Sequence, residues 1–208
     1  MGLSVVIGPS TDPVTLAEAK AHLRVAISDD DGLIAGYILA ARHWVEGEIH
    51  RPIVSRMYDY TIDYGWPHRC GKHWIDLPLP PLRSVRSVSY VDASGVTQIL
   101  ATNQYTPMAN RPRGLIVPTY DATWPDVRSQ VEAITVRFVA GYTDFTDTST
   151  SPNATVTGPG IPDDIRQALL LLVGHWYENR ETVVIGQAPA EVPMAVESII
   201  SGYRVAGF

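Results

Sequence analysis

The stretch that most constrains the fold is Ile161-Pro-Asp-Asp-Ile-Arg-Gln-Ala-Leu-Leu-Leu-Leu-Val-Gly-His-Trp-Tyr-Glu-Asn-Arg-Glu181. Pro162 suits a first helical position, where the N–H it lacks would have no intrahelical partner. Asp163 and Asp164 follow in the first turn, where the positive end of the helix dipole favours carboxylates. Ile165, Ala168, Leu169, Leu172, Val173, Trp176 and Tyr177 recur at three- and four-residue spacing and form one apolar stripe. Leu170 and Leu171 lie off that stripe, so the middle of the helix is apolar almost all round and is expected to be buried on several sides. Gly174 lowers helix propensity, which suggests that another backbone or a large ring packs close there. The segment is expected to be the central helix around which the rest of the chain is organised.

Two further helices are expected before residue 52. Thr15 and Glu18 have capping-box spacing, and Leu16, Ala19 and Leu23 supply a short stripe behind them. Ser28-Asp-Asp-Asp31 is expected to stop that helix and cap the next. From Leu33 to about His50 the apolar positions Leu33, Ile34, Tyr37, Ile38, Ala41, Val45 and Ile49 again follow the helical period, and Pro52 ends the run. Residues 1–52 are thus assigned to an N-terminal arm, in which Leu3 to Ile7 is either a short strand or an arm laid on a neighbour, and to the first helices.

The texture then changes. Residues 53–64 alternate loosely and are rich in aromatic and β-branched side chains, and Trp74 to Leu77 is a second short strand ended by prolines. Val85 to Val91 and Val96 to Leu100 flank Asp92-Ala-Ser-Gly95, a turn with glycine placed for positive φ, which predicts a hairpin. Tyr105, Leu115 to Val117 and Ala133 to Ala140 supply further strands. Residues 53–142 therefore read as a small, mostly antiparallel sheet unit inserted between helices. The polar, Thr-rich residues 143–160 read as a flexible linker, 161–185 as the central helix, and 186–208 as a C-terminal partner-binding segment. The expected class is α+β.

Charge and composition exclude several functions. A formal charge of −6 opposes a general affinity for nucleic acid, which needs clustered Lys and Arg. One cysteine, Cys70, excludes an internal disulfide framework. The N-terminus lacks a signal-peptide pattern, Val6 fails a myristoylation motif, and the apolar run from Ala168 to Gly174 is far too short to span a membrane. A soluble intracellular protein is expected. His68, Cys70 and His73 are weak candidates for a metal site, since structural zinc normally pairs two such clusters and no second cysteine exists. His175 and Glu178 lie three apart on a helix but lack the further ligands a metal helix needs. No nucleophile elbow, phosphate loop or dinucleotide fingerprint occurs, and no catalytic or cofactor-binding residue is assigned. Trp44 and Trp176 adjoin helical stripes and read as core. Trp66 and Trp124 sit in expected loops, where aromatic residues also serve protein–protein contacts.

The order of these pieces resembles the head–tail connector (adaptor, or head-completion) proteins of tailed bacteriophages. Val14 to Val25, the acidic cap at Asp29 to Asp31 and Ala40-Ala-Arg-His-Trp-Val-Glu46 resemble the opening of that family. Leu77 to Leu82, Val85 to Asp92 and Val139-Ala-Gly-Tyr142 look like the sheet segment of its long variant. Ile161 to Glu181 matches its strongest stretch, and Val192 to Glu197 with Tyr203-Arg204 resembles its ending. Related proteins occur in prophages and in gene transfer agents. The resemblance implies a non-enzymatic protein, made in the bacterial cytoplasm, that docks as a ring under the portal, commonly in twelve copies. It would lengthen the DNA channel, let DNA pass without specific binding, and present a surface to stopper or tail proteins. It implies a portal contact at the C-terminal segment, with Val192, Met194, Ile199, Tyr203, Arg204 and Phe208 as candidates. Trp176, Tyr177 and Arg180, at the polar end of the central helix, are candidates for a subunit contact. The alternatives are a tail or baseplate binding module whose sheet unit recognises a protein or glycan, and a metal-dependent enzyme centred on His68, Cys70 and His73.

Overall fold

The structure, a computed structural model, describes residues 1–67, 74–111, 113–148, 154–179 and 194–205. The chain forms two compact units, one of Met1–Ser10 and Ser55–Pro159, the other of Thr11–Val54 and Gly160–Phe208. The first is built on β-sheets and the second on helices, in keeping with the expected α+β class. Among the described residues, no helix is long and apolar enough to cross a membrane.

The helical unit contains α1 (Leu16–Leu23), α2 (Asp31–Ile49), α3 (Asp163–Glu178) and α4 (Met194–Ser201). The stripe read from the sequence is the buried face of α3: Ile165, Ala168, Leu169, Leu172 and Val173 are all buried. They meet Ile34, Ile38, Ala41, Val45 and Ile49 of α2, while Val196 and Ile200 of α4 close another side. Each Leu, Ile or Val so buried contributes about 1.5–3 kcal/mol, and this packing rather than propensity holds the helices. Both α1 and α2 end on a residue in the left-handed region, Arg24 at φ 58° and His50 at φ 53°. Beyond α2, the Glu46 carboxylate accepts the Ile53 N–H at 2.9 Å, which ties the segment after Pro52 back to the helix.

The cap of α2 differs from expectation. Asp30 is its N-cap but makes no side-chain bond to the helix amides. Its carboxylate instead accepts the Tyr177 hydroxyl at 2.5 Å, so a residue suited to capping by type serves to tie α2 to α3. Pro162 likewise stands one position before its expected place, as the N-cap of α3.

The sheet unit holds a five-stranded sheet in the order β1 (Gly2–Ile7), β2 (Arg56–Ile62), β8 (Ile134–Ala140), β4 (Leu82–Val91), β5 (Thr97–Ile99). Every pairing in it is antiparallel. A three-stranded sheet, β3 (Ile75–Asp76), β7 (Leu115–Pro118) and β6 (Tyr105–Met108), supplies Ile75, Tyr105 and Ile116 to a core shared with Tyr58, Val88, Ile134, Val136 and Phe138. Central strand β8 is buried at Ile134, Val136, Phe138, Val139 and Ala140. On its opposite face Arg137 donates to both oxygens of Asp59, at 2.8 and 2.7 Å. The expected hairpin at 92–95 is present: the Asp92 carboxylate accepts the N–H groups of Ser94 and Val96 at 2.9 and 3.0 Å.

One open alternative is decided and one assignment needs correction. Leu3 to Ile7, read as a short strand or an arm laid on a neighbour, lies in the edge strand β1, which pairs with β2 from Gly2 against Thr61 to Ile7 against Met57. Residues 143–160 are not a flexible linker over their described part. They carry the hairpin β9 (Phe145–Asp147) and β10 (Ala154–Val156), with Phe145 and Asp147 buried. Phe145 packs on Met57 and Val139, and the Asp147 carboxylate lies 3.6 Å from Arg86 Nε. Two irregularities in β4, between Leu82 and Ser84 and between Val85 and Ser87, fall where Arg83 and Arg86 stand. Arg83 donates to the Thr157 carbonyl, so both arginines reach this hairpin, the re-aiming that bulges provide.

Candidate functional site

The candidate contact surfaces lie in the helical unit and on the C-terminal segment. α4 is amphipathic by construction: Val196 and Ile200 face the core, whereas Met194 is 86 % exposed and Ile199 half-buried. The segment after it is fastened to its own subunit. The Tyr203 hydroxyl donates to Asp164 at 3.2 Å, Arg204 pairs with Glu48 at 2.6 Å, and the Val205 N–H donates to the Ile49 carbonyl at 3.1 Å. These bonds hold residues 203–205 of the expected partner-binding segment to the subunit's own α2 and α3. Val192 and Phe208 lie outside the described residues.

At the polar end of α3, Trp176 meets Tyr37 with ring centroids 6.4 Å apart and planes tilted by 50°. With the Tyr177–Asp30 bond, this fixes both aromatic residues against α2. Each remains half-buried, so each presents one edge outward. Arg180 lies outside the described residues. Among the described residues His175 and Glu178 join no ligand set; the Asn179 side chain donates to the His175 carbonyl at 2.9 Å and closes the helix end. Gly174 is not a point of enforced close approach. A Cβ there would lie 3.5 Å from His22 Nε2, an ordinary contact. Gly174→Ala should thus fold normally and raise the stability of the helical unit by about 0.5–1 kcal/mol in urea unfolding.

Sequence reasoning assigned no role to the outer face of α2. Gly32, Leu33, Ala35, Gly36, Leu39, Ala40, His43 and Gly47 are exposed there, and none is Asp, Glu, Lys or Arg. Leu33, placed on the apolar stripe by its spacing, falls on this exposed face instead, at 38 % accessibility, and the buried stripe starts at Ile34.

The Thr15–Glu18 capping box forms as expected: the Glu18 N–H donates to Thr15 Oγ1 at 3.2 Å, and the Thr15 N–H to the Glu18 carboxylate at 2.8 Å. The same carboxylate receives Arg166 of α3. The Thr15 backbone and hydroxyl bonds, with Arg166 beyond them, hold the Glu18 carboxyl below its ordinary value. A depressed folded value means a contribution present above the unfolded pKa, about 4.3, and lost as pH falls through the lower folded value. Glu18→Gln should therefore destabilise the helical unit at pH 7. The difference from the unsubstituted chain should shrink as pH falls below about 4.3 and vanish once pH is below the lowered folded value, checked by urea unfolding at stepped pH.

His68, Cys70 and His73, the metal candidates, lie outside the described residues; among the described residues no group of three or more His, Cys, Asp or Glu is placed to hold a metal. Trp66 and Trp124 are brought together rather than displayed. They stack with centroids 4.4 Å apart and planes 15° apart, and the Trp66 indole N–H donates to the Pro125 carbonyl at 2.7 Å. Trp66 is buried in the sheet unit's core, so packing accounts for it.

The fold is that of phage-like neck components. A chain from the neck of an empty gene transfer agent particle, computed with C6 symmetry, superposes with a TM-score of 0.74 at 21% identity, covering 100% of this chain and 97% of that one. A chain of the native gene transfer agent virion gives 0.74 at 22%, and one from the native neck computed with C12 symmetry gives 0.72 at 22%, each with the same coverage. Residues 13–74 match the family described as Phage gp6-like head-tail connector protein, in agreement with the resemblance carried by the sequence. That segment contains α1, α2 and the first strand after them, β2. No curated protein matches the chain.

Proposed function

We propose that this chain is a non-enzymatic head–tail connector that docks as a ring beneath the portal of a phage or phage-like particle. There it extends the DNA channel and offers the attachment surface for stopper or tail proteins. The observation that carries the reading is the likeness of the whole chain, end to end, to chains of gene transfer agent necks. The match of residues 13–74 to a connector family supports it from the sequence side. A ring of twelve copies fits a neck of C12 symmetry. The charge of −6 per copy suits a channel along which DNA slides without adhering.

In this reading the portal contact is made by the outer side of α4 with the residues flanking it: Met194, Ile199, Tyr203 and Arg204, joined by Val192 and Phe208. Trp176, Tyr177 and Arg180 contribute to the contact between neighbouring subunits. Truncation is a poor test of the portal contact, because removing α4 would strip Val196 and Ile200 from the core. Met194→Glu avoids this, as Met194 is 86 % exposed. It should weaken binding to the purified portal about tenfold, equal to about 1.4 kcal/mol, with the unfolding midpoint unchanged. Unaltered binding would remove α4 from the portal contact.

A further inference from the structure

The sheet unit carries a cavity that the connector reading leaves without a role. It measures about 730 Å³ and lies between residues 64–66 and residues 118–127, at and beyond the end of β7. Ligand sites commonly occupy about 300–1,000 Å³.

Both walls are fixed by the sheet unit. Tyr64, in the left-handed region at φ 62°, donates its N–H to the Gln130 carbonyl at 2.7 Å. Thr119 donates its N–H to the Gln104 carbonyl at 3.1 Å and its hydroxyl to the Asn103 carbonyl at 2.9 Å. The Arg128 N–H donates to the Val91 carbonyl at 2.9 Å, which fixes the far end of the same stretch. The Trp66 indole, bonded to the Pro125 carbonyl, ties one wall to the other. A cavity so held is formed before any ligand arrives.

Its lining combines aromatic rings with one carboxylate. Buried Trp66 stacks on half-buried Trp124, and Tyr64 is 67 % exposed. Asp126 is exposed and makes no hydrogen bond or ion pair among the described residues. No Lys, Arg or His lines the cavity among the described residues. The guanidinium of nearby Arg128 lies instead at the hairpin turn, where a Cβ on Gly95 would fall 2.5 Å from it. Aromatic faces beside a carboxylate complement a cation. A guanidinium suits them best, because it is planar, weakly hydrated, stacks on indole and offers N–H groups to the carboxylate. The cavity is larger than one such group, and Pro118 and Val127 supply apolar surface for the chain on either side of it.

We propose that this cavity receives an arginine side chain from an extended segment of another protein, with Tyr64 and Trp124 against the guanidinium and Asp126 as its acceptor. The site is separate from the contacts assigned to the helical unit, and it stands or falls independently of the connector reading.

The test uses the full chain, isotope-labelled at its tryptophans and followed by NMR while a blocked Gly-Arg-Gly peptide is added. The Trp124 indole signal, identified by its loss in Trp124→Phe, should shift saturably. The same peptide with citrulline, equal in shape but uncharged, should bind about tenfold more weakly, and so should the arginine peptide to Asp126→Asn. The unfolding midpoint of Asp126→Asn should match that of the unsubstituted chain. No saturable shift, or equal binding of the arginine and citrulline peptides, overturns the proposal. A saturable response to maltotriose but not to the arginine peptide also overturns it, and makes the cavity a saccharide site. So does a lowered midpoint in Asp126→Asn, since the carboxylate would then serve the subunit's own fold.

Discussion

Phe138→Ala should lower the stability of the sheet unit by about 3–5 kcal/mol, read as a shift of the urea unfolding midpoint. Phe138 sits in the central strand, is fully buried, and stacks on Tyr58 with centroids 5.6 Å apart and planes 26° apart. Its neighbours across the strands are Tyr58 of β2 and Val85 of β4. Truncation leaves a cavity flanked on both sides by paired backbone, which cannot collapse into the space, and the cavity term adds to the lost transfer energy. Val131→Ala, at a position 61 % exposed, should stay within about 0.5 kcal/mol and serves as the comparison.

A second large loss is expected for Gly141→Ala. Gly141 has φ +133°, a conformation that side-chain-bearing residues rarely adopt, and a Cβ there would fall 2.4 Å from Ser55 Cα and 2.6 Å from Ser55 N. The obstruction is backbone, so no rotamer change relieves it. Ser55 is also held from both sides: its hydroxyl donates to the Thr143 carbonyl at 2.6 Å and its N–H to the Thr143 hydroxyl at 2.9 Å. These bonds bring the entry of β2 against the exit of β8, and the Gly141 N–H donates to the Pro81 carbonyl at 3.1 Å in the same place. Strain and overpacking together should cost roughly 2–5 kcal/mol. Crowding of this kind should also disturb the backbone pairs Arg56–Ala140 and Leu82–Ala140, seen as faster amide exchange at the end of β8. An Ala variant as stable as the original chain would show that the crossing has slack that the close approach denies.

The helical unit was legible in the sequence because its signal is periodic and its burial follows the period. Every α3 residue named on the stripe from Ile165 to Val173 is buried, and α2 ends within a residue of its expected limit. The capping box at Thr15 and Glu18 was readable for the same reason, since the spacing and the bond are one fact. Less was legible where a residue type has two uses. Asp30 reads as a cap and serves as an acceptor for Tyr177, a partner 147 positions away that local spacing does not announce. Residues 143–160 read as a polar linker because they offer little apolar surface. Phe145 supplies the apolar anchor, and Asp147, Arg83 and Arg86 supply paired polar contacts that only the tertiary arrangement creates. The Gly158 N–H likewise donates to Asp144 at 2.7 Å, a bond between residues 14 apart.

The candidate surfaces were legible in outline only. The resemblance selected α4 and the end of α3, but not which of their residues turn inward. Tyr203, Arg204 and Tyr177 each make a bond within the subunit. Met194 keeps an open side chain, which is why the substitution proposed for the portal contact falls there. Trp66 and Trp124 were read from their loop setting as core residues that could also serve a contact; they stack on each other, Trp66 buried in the core and Trp124 half-buried against it.

The central claim is that this chain forms the ring between head and tail. The most direct measurement is an electron cryo-microscopy reconstruction of the intact particle, with the chain located in the density. The connector account predicts a ring of copies seated on the portal, each with α4 on the portal side. Finding the chain only at the tail tip or baseplate, or finding the head–tail junction filled by other chains, would contradict it.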